Sequence, residues 1–178
     1  MLPRKFKPKK YDAWDREPWP DYVARLGLPD HEPTLQFFRQ VAYDHLDHFN
    51  NHYPDFELEE YSIDIESFTA QQANDLVRTL GNKVMDWWAE QYEEFRRRDY
   101  PYVIYQEMSQ NLTPPFPPVV FEVSKLVDSR GWVYGRPYHL IEGTHRVSYL
   151  RHMLAEGIIT PESEHRFVVL RPRCASAT

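Results

Sequence analysis

The stretch that decides the fold of this chain is Tyr138-His139-Leu140-Ile141-Glu142-Gly143-Thr144-His145-Arg146. Its pattern predicts a strand, a glycine turn and the first turn of a helix. The apolar residues that follow are Val147, Leu150 and Leu154. Their steps of three or four residues are the spacing of one helix face. Gly157 is a natural stop for this helix.

This strand-turn-helix corner predicts an anion site. The first turn of a helix leaves its N–H groups unpaired and carries the positive end of the helix dipole. Gly143 lets the backbone approach a ligand closely, while His145 and Arg146 add donors that suit phosphate oxygens. The alternative is a plain joint between strand and helix, in which His145 and Arg146 are ordinary surface residues.

Three further segments match the surroundings of the corner. Pro118–Val123 has the character of a preceding strand, Arg166–Leu170 that of a returning strand, and residues 61–72 that of a strand running into a helix. With these segments, the corner resembles the ParB/sulfiredoxin superfamily, whose members carry G-x-H-R or G-E-R-R between a strand and a helix. The resemblance covers about residues 61 to 170. It implies an α+β fold with a small mixed sheet and packed helices.

Members of this superfamily bind a nucleotide through the motif. They use it for CTP-dependent clamping on DNA, ATP-dependent repair of oxidised cysteine, or phosphorylation of free serine. The G-x-H-R form is more similar to the last two branches. The resemblance implies that Gly143, Thr144, His145 and Arg146 bind ATP or another nucleotide with Mg²⁺, and that Glu142 and His145 are the catalytic candidates.

Two departures from the superfamily bear on catalysis. Sulfiredoxin has a cysteine where this chain has Thr144, and the only cysteine here is Cys174 near the C-terminus. The serine kinase uses a glutamate where its first helix begins, whereas Phe68–Asn74 contains no carboxylate. Gln71 or Gln72 takes that place. An amide cannot act as a general base.

Three functions follow in order of preference. The first is a nucleotide- or phosphate-binding protein that, if catalytic, is a Mg²⁺-dependent phosphotransferase or nucleotide hydrolase. The second is a non-catalytic module whose aromatic, acidic surface binds a protein partner. The third is a DNA-handling protein or nuclease.

The charge distribution disfavours nucleic acid as a partner. The net charge is −6, and a basic N-terminus carries five positive charges, on Arg4, Lys5, Lys7, Lys9 and Lys10. Without these five charges the remainder has a net charge of −11. A body that acidic repels a phosphate backbone.

The chain divides into four predicted regions along the sequence. These are an extended arm rich in aromatics and proline at 1–33, an N-terminal helix packed on the domain at 34–60, the ParB/sulfiredoxin-like domain at 61–172, and a tail at 173–178. The helix in the second region is expected from Thr34 to Tyr53, where Pro54 ends it.

A second long helix is expected from Thr69 to about Arg98. Thr69 and Gln72 have the spacing of a capping box. A break at Gly81-Asn82 would divide this helix in two. The following proline cluster, residues 113–118, cannot be helical, and either borders the pocket or links two layers.

Other polar groups are weaker candidates. His45, His48 and His52 have a spacing that could chelate a metal, but without a glutamate or cysteine partner we predict no metal site. Asp64 and Glu66 lie on one side of a strand and either face the pocket or, as we favour, face solvent. Arg136 and His139 flank the motif and are expected on the surface.

The sequence shows no pattern of a membrane-spanning segment or of a signal peptide. No apolar run approaches the roughly 18 residues that span a bilayer, and residues 1–10 lack the apolar core of a signal peptide. A single cysteine excludes an internal disulfide. We therefore expect a cytoplasmic protein with no membrane partner.

Overall fold

The computed structural model describes residues 1–10, 15–79, 81–124 and 127–173. Cys174 and the remainder of the predicted tail lie outside the described residues, as does Trp14 of the predicted arm. The chain forms two compact units. We call Met1–Asp64 with Arg171–Thr178 the N-terminal unit, and Ile65–Leu170, which contains the corner, the motif unit.

Within the described residues, seven α-helices and five strands follow the chain. The helices are α1 Trp19–Leu26, α2 Glu32–Phe37, α3 Asp44–His52, α4 Ala70–Leu76, α5 Asn82–Arg98, α6 Val103–Asn111 and α7 Thr144–Ala155. The strands are β1 Tyr61–Thr69, β2 Val77–Arg78, β3 Val119–Glu122, β4 Tyr138–Glu142 and β5 Glu164–Pro172. Short 3-10 turns lie at Arg4–Phe6 and Leu58–Glu60.

The strands form one mixed sheet in the order β1-β5-β3-β4-β2. Strand β3 is antiparallel to β4 and parallel to β5, and β2 is parallel to β4. The expected α+β class is therefore confirmed. None of the helices in the described ranges is long and apolar enough to cross a membrane.

Helix α7 is enclosed by the core of the motif unit. Five consecutive residues, Arg146 to Leu150, are buried, so the helix has no broad solvent face in its first two turns. Its apolar side chains cluster with those of the sheet, including Val147, Leu150, Phe167 and Val169. This burial fixes the position of the corner from which α7 starts.

The predicted long helix from Thr69 to Arg98 is two helices. The Thr69–Gln72 capping box is confirmed, because each side chain bonds the backbone amide of the other residue. Helix α4 ends at Leu76, since Val77 leaves it to pair with Tyr138 of β4. Helix α5 begins at Asn82, where the expected break lies.

Helix α6 and strand β2 were not foreseen from the sequence. Helix α6 occupies the start of a segment in which only the proline cluster carries a signal. It ends at Asn111, and the following residue, Leu112, adopts a left-handed conformation with φ 56°. Strand β2 has two residues, too few to produce a periodic pattern.

The N-terminal unit corrects the prediction of an extended arm. Helix α1 forms within the arm, with Pro20 in its first turn, and Tyr22 is fully buried and donates to the Phe6 carbonyl oxygen at 2.6 Å. Arg25 holds the buried carboxylate of Glu17 at 2.7 Å. The arm is thus ordered by a helix and an ion pair, and its buried Tyr22 packs against Tyr43 of the π-helical segment that follows.

The predicted helix from Thr34 to Tyr53 begins two residues earlier and is not uniform. A π-helical segment, Phe38–Tyr43, separates α2 from α3. His45 has non-helical backbone angles, φ −138° and ψ 25°, which place a kink near the start of α3. The apolar spacing predicted the helical path but not these two irregularities.

Candidate functional site

The predicted strand-turn-helix geometry of the corner is confirmed. Strand β4 ends at Glu142, Gly143 adopts φ 104°, and α7 begins at Thr144. A Cβ at Gly143 would lie 3.0 Å from both Arg146 Nη2 and Pro118 Cβ. Positive φ and this close approach together require glycine at the turn.

The start of α7 presents unpaired donors. The first helical bond runs from the Val147 amide to the Gly143 carbonyl oxygen at 3.0 Å. No acceptor among the described residues bonds the amides of Thr144 and His145, and no side chain caps the helix. These amides are therefore available to an oxyanion.

Glu142 places the chain's own carboxylate at this position. Its Oε1 accepts the Gly143 amide at 2.9 Å and lies 3.4 Å from Arg146 Nη2. A carboxylate beside the first turn of a helix is stabilised by the helix dipole. Glu142 thus contributes negative charge where the sequence pattern predicted the binding of a negatively charged ligand.

Arg146 lies inside the fold and not on its surface. Only 6% of the residue is exposed, and its Nη1 donates to the Phe116 carbonyl oxygen at 2.9 Å. Burial lowers the pKa of the guanidinium, and the nearby Glu142 carboxylate opposes that effect. The residue predicted to hold phosphate therefore connects α7 to the proline cluster and to β4.

His145 is held by two aromatic residues. Its Nδ1 is hydrogen-bonded to the Tyr102 hydroxyl, and its ring centroid lies 3.3 Å from that of Trp88. Burial, aided by the charge of Arg146, lowers the pKa of His145 to about 4. The imidazole is therefore neutral near pH 7.

The hydrogen bond with Tyr102 sets the proton of this neutral ring. Burial raises the pKa of Tyr102, so its hydroxyl keeps its proton and can donate to His145 Nδ1. When Tyr102 donates this bond, the imidazole proton lies on Nε2. His145 then remains a hydrogen-bond donor through Nε2 without carrying charge.

The residues around His145 and Arg146 were not identified as site residues from the sequence. Trp88 is one apolar position of a helix among many, and Tyr102 immediately precedes an unforeseen helix. The proline cluster borders the corner through Phe116 and Pro118. Of the two roles expected for it, this contact favours the one at the border of the predicted pocket. These neighbours are 25 to 57 residues away along the chain from the corner residues they contact, beyond the reach of periodicity.

The two glutamines at the start of α4 have local partners. Gln72 completes the capping box, and Gln71 donates to Asp75 Oδ2 at 2.7 Å. Asp75 is an exposed carboxylate at the far end of the same short helix, outside the expected Phe68–Asn74 stretch. Hydrogen bonding from Gln71 lowers the pKa of the Asp75 carboxyl group.

The remaining candidates divide by exposure. Asp64 is exposed and Glu66 half-buried. Arg136 is exposed as expected, but the surface prediction for His139 is wrong, because only 1% of that residue is exposed. His139 Nδ1 accepts the Gly135 amide at 3.1 Å, and burial lowers the pKa of the imidazole to about 4.

Comparison of the chain with family models, curated proteins and solved structures found no match. What can be concluded about the corner therefore depends on its own geometry and chemistry.

Replacing Arg146 with alanine should destabilise the fold. The change leaves the Phe116 carbonyl and the Glu142 carboxylate without the guanidinium, and we expect a loss of about 2–4 kcal/mol in the free energy of unfolding. Urea unfolding followed by circular dichroism measures it. The exposed Arg136→Ala is the control and should change stability by less than about 0.5 kcal/mol. Wild-type stability in Arg146→Ala would show that the buried contacts contribute little.

Trp88→Ala should raise the pKa of His145 from about 4 toward 6.5, because it removes the ring that shields the imidazole from water. An NMR titration of the His145 ring protons measures this. Trp87→Ala, at the half-exposed neighbour of Trp88, is the control and should leave the pKa of His145 near 4. Burial lowers the pKa of His145 from 6.5 to about 4, so protonation of His145 opposes folding. Its contribution to the free energy of unfolding is therefore complete above pH 6.5 and is lost as the pH falls toward 4. An unchanged pKa in Trp88→Ala would refute the shielding.

Proposed function

We propose that the chain is a ParB/sulfiredoxin-like protein whose corner binds a nucleotide or another phosphorylated small molecule. The observation that carries the proposal is a set of uncharged groups in the first turn of α7. The amides of Thr144 and His145 have no acceptor among the described residues, and the neutral imidazole of His145, hydrogen-bonded to Tyr102, starts from the same turn. Phosphate oxygens are the ligands that such a set of donors binds best.

Two aromatic residues adjoin the corner and favour a ligand that also has a planar ring. The Trp88 ring lies against that of His145. Phe116, whose carbonyl oxygen accepts a hydrogen bond from Arg146, is 52% exposed. Nucleobases stack on aromatic side chains, so a nucleotide matches these groups better than inorganic phosphate does.

The charges at the corner define how ATP or another nucleotide would be held. Arg146 is paired with Glu142, and His145 is neutral, so the protein offers little net positive charge. A nucleotide would therefore arrive with Mg²⁺, which binds one or two carboxylates together with phosphate oxygens. Glu142 is the carboxylate at the corner that fits this role.

Catalysis, where it occurs, would be phosphoryl transfer or nucleotide hydrolysis. Such reactions depend mainly on positioning and on neutralising charge. The helix amides would hold the phosphate and His145 Nε2 would donate to it. Glu142 would accept the proton of the attacking hydroxyl or water.

A non-catalytic protein-interaction module is the second candidate, and the surface of the motif unit favours it. Large apolar side chains are exposed in and between α5 and α6, with Trp87 50%, Tyr100 50% and Val103 60% exposed. The amides at Gln71 and Gln72, where the serine kinase has a glutamate, are consistent with loss of activity in this module.

A thermal-stability screen with ATP, ADP, CTP and GTP in the presence of Mg²⁺ tests the binding site. At least one nucleotide should raise the melting temperature, because a ligand that binds only the folded state stabilises it. His145→Ala should lose most of this stabilisation. Thr144→Ala should retain affinity to within about tenfold, since a hydroxyl contact contributes only about 0.5–1.5 kcal/mol.

His31→Ala, an exposed histidine of the N-terminal unit, is the matched control and should respond like the wild type. Equal stabilisation of His145→Ala and the wild type would move the site away from the corner. No stabilisation by any nucleotide would remove the nucleotide proposal.

Glu142→Gln separates an enzyme from a binding module. The change keeps the shape of the side chain and removes its charge and basicity. In an enzyme, nucleotide turnover should fall at least a hundredfold, the lower range for loss of a general base, while binding of the nucleotide measured without Mg²⁺ survives. A colorimetric phosphate-release assay with pooled hydroxyl acceptors measures turnover. Glu156→Gln, an exposed change next to the C-terminus of α7, is the control. A wild type that binds nucleotide but never turns it over would support the module.

A further inference from the structure

The last two turns of α3 bring together two histidines outside the corner. His48 and His52 are four residues apart, a spacing that places their side chains on the same face of a helix. Their ring centroids are 4.1 Å apart, with an angle of 36° between the ring planes. His48 is exposed and His52 half-buried, so the pair lies at the surface of the N-terminal unit.

The backbone of α3 fixes the chemical form of one ring. His52 Nδ1 lies 2.9 Å from the His48 carbonyl oxygen, which can only accept a hydrogen bond. His52 must therefore carry its proton on Nδ1, and the lone pair of the neutral ring is on Nε2. A bond from the other ring nitrogen to a backbone carbonyl is the arrangement that orients metal-binding histidines in proteins.

From this pair we propose a surface site for a divalent transition ion, with His48 and His52 as its protein ligands. Imidazole nitrogen favours Zn²⁺, Cu²⁺ and Ni²⁺ over Mg²⁺ and Ca²⁺, which prefer oxygen. Zinc binds imidazole nitrogen at about 2.0–2.1 Å. Small rotations of rings that are already adjacent bring one nitrogen of each to a common ion.

Water completes the coordination of this ion. Among the described residues, no group of three or more histidine, cysteine, aspartate or glutamate side chains could hold a metal. His45 precedes His48 by three residues, but its non-helical backbone, φ −138° and ψ 25°, takes it off the helical path that aligns the pair. The site therefore has two protein ligands and modest affinity, unlike a closed structural zinc site.

Binding of the ion would stabilise the end of α3. The two ligands span one helical turn, so a bound ion holds that turn in its helical conformation. The site belongs to the N-terminal unit and does not depend on a ligand at the corner.

Isothermal titration of the full chain with ZnCl₂ and NiCl₂ tests the proposal, with MgCl₂ as the negative control. The wild type should bind Zn²⁺ and Ni²⁺, with a rise in melting temperature that EDTA reverses. His48→Ala and His52→Ala should each lower the affinity at least tenfold. His52→Asn should do the same, because it retains a side-chain donor but has no imidazole.

Two variants control for unspecific binding by other histidines. His45→Ala lies on the same helix and His31→Ala in the same unit, and both should bind zinc like the wild type. Circular dichroism without metal establishes that each variant is folded. Wild-type affinity in both His48→Ala and His52→Ala overturns the proposal, as does an absence of zinc binding by the wild type. A tenfold loss in His45→Ala overturns the assignment of two ligands.

Discussion

The buried guanidinium of Arg146 is the interaction on which the motif unit's candidate site depends. It joins three parts of the chain that are remote in sequence or differ in structure: the first turn of α7, the end of β4 through Glu142, and the proline cluster through the Phe116 carbonyl. A buried cation requires this number of partners, because leaving it unpaired costs several kcal/mol. Gly143 is required for the same reason, since a larger residue would clash with the guanidinium.

The position of Arg146 changes the electrostatic character of the corner. A surface arginine and a charged histidine would make a strongly positive pocket. The structure instead pairs the arginine with Glu142 and keeps His145 neutral between Tyr102 and Trp88. What remains is a set of dipoles, the amides and the imidazole N–H, which select for hydrogen-bond geometry more than for charge.

Sequence periodicity succeeded where local rules suffice and failed where pairing partners are distant. The Thr69–Gln72 capping box and the start of α5 after Gly81 are set by neighbouring residues, and both were predicted. Strand β2 exists because Val77 meets β4, about sixty residues later. The burial of His139 likewise depends on its place in the sheet beside β3. No local pattern contains these contacts.

The sequence by itself determined the corner: a strand, a glycine with positive φ and a helix that begins with unpaired amides. These features follow from the conformational freedom of glycine and from the helical spacing of the residues after it. Only the tertiary structure decided what the corner's side chains do. Burial made Arg146 an internal tether between α7, β4 and the proline cluster, and it made His145 neutral. Desolvation and hydrogen bonding are set here by α5, by Tyr102 before α6 and by the proline cluster, which the chain brings together only on folding.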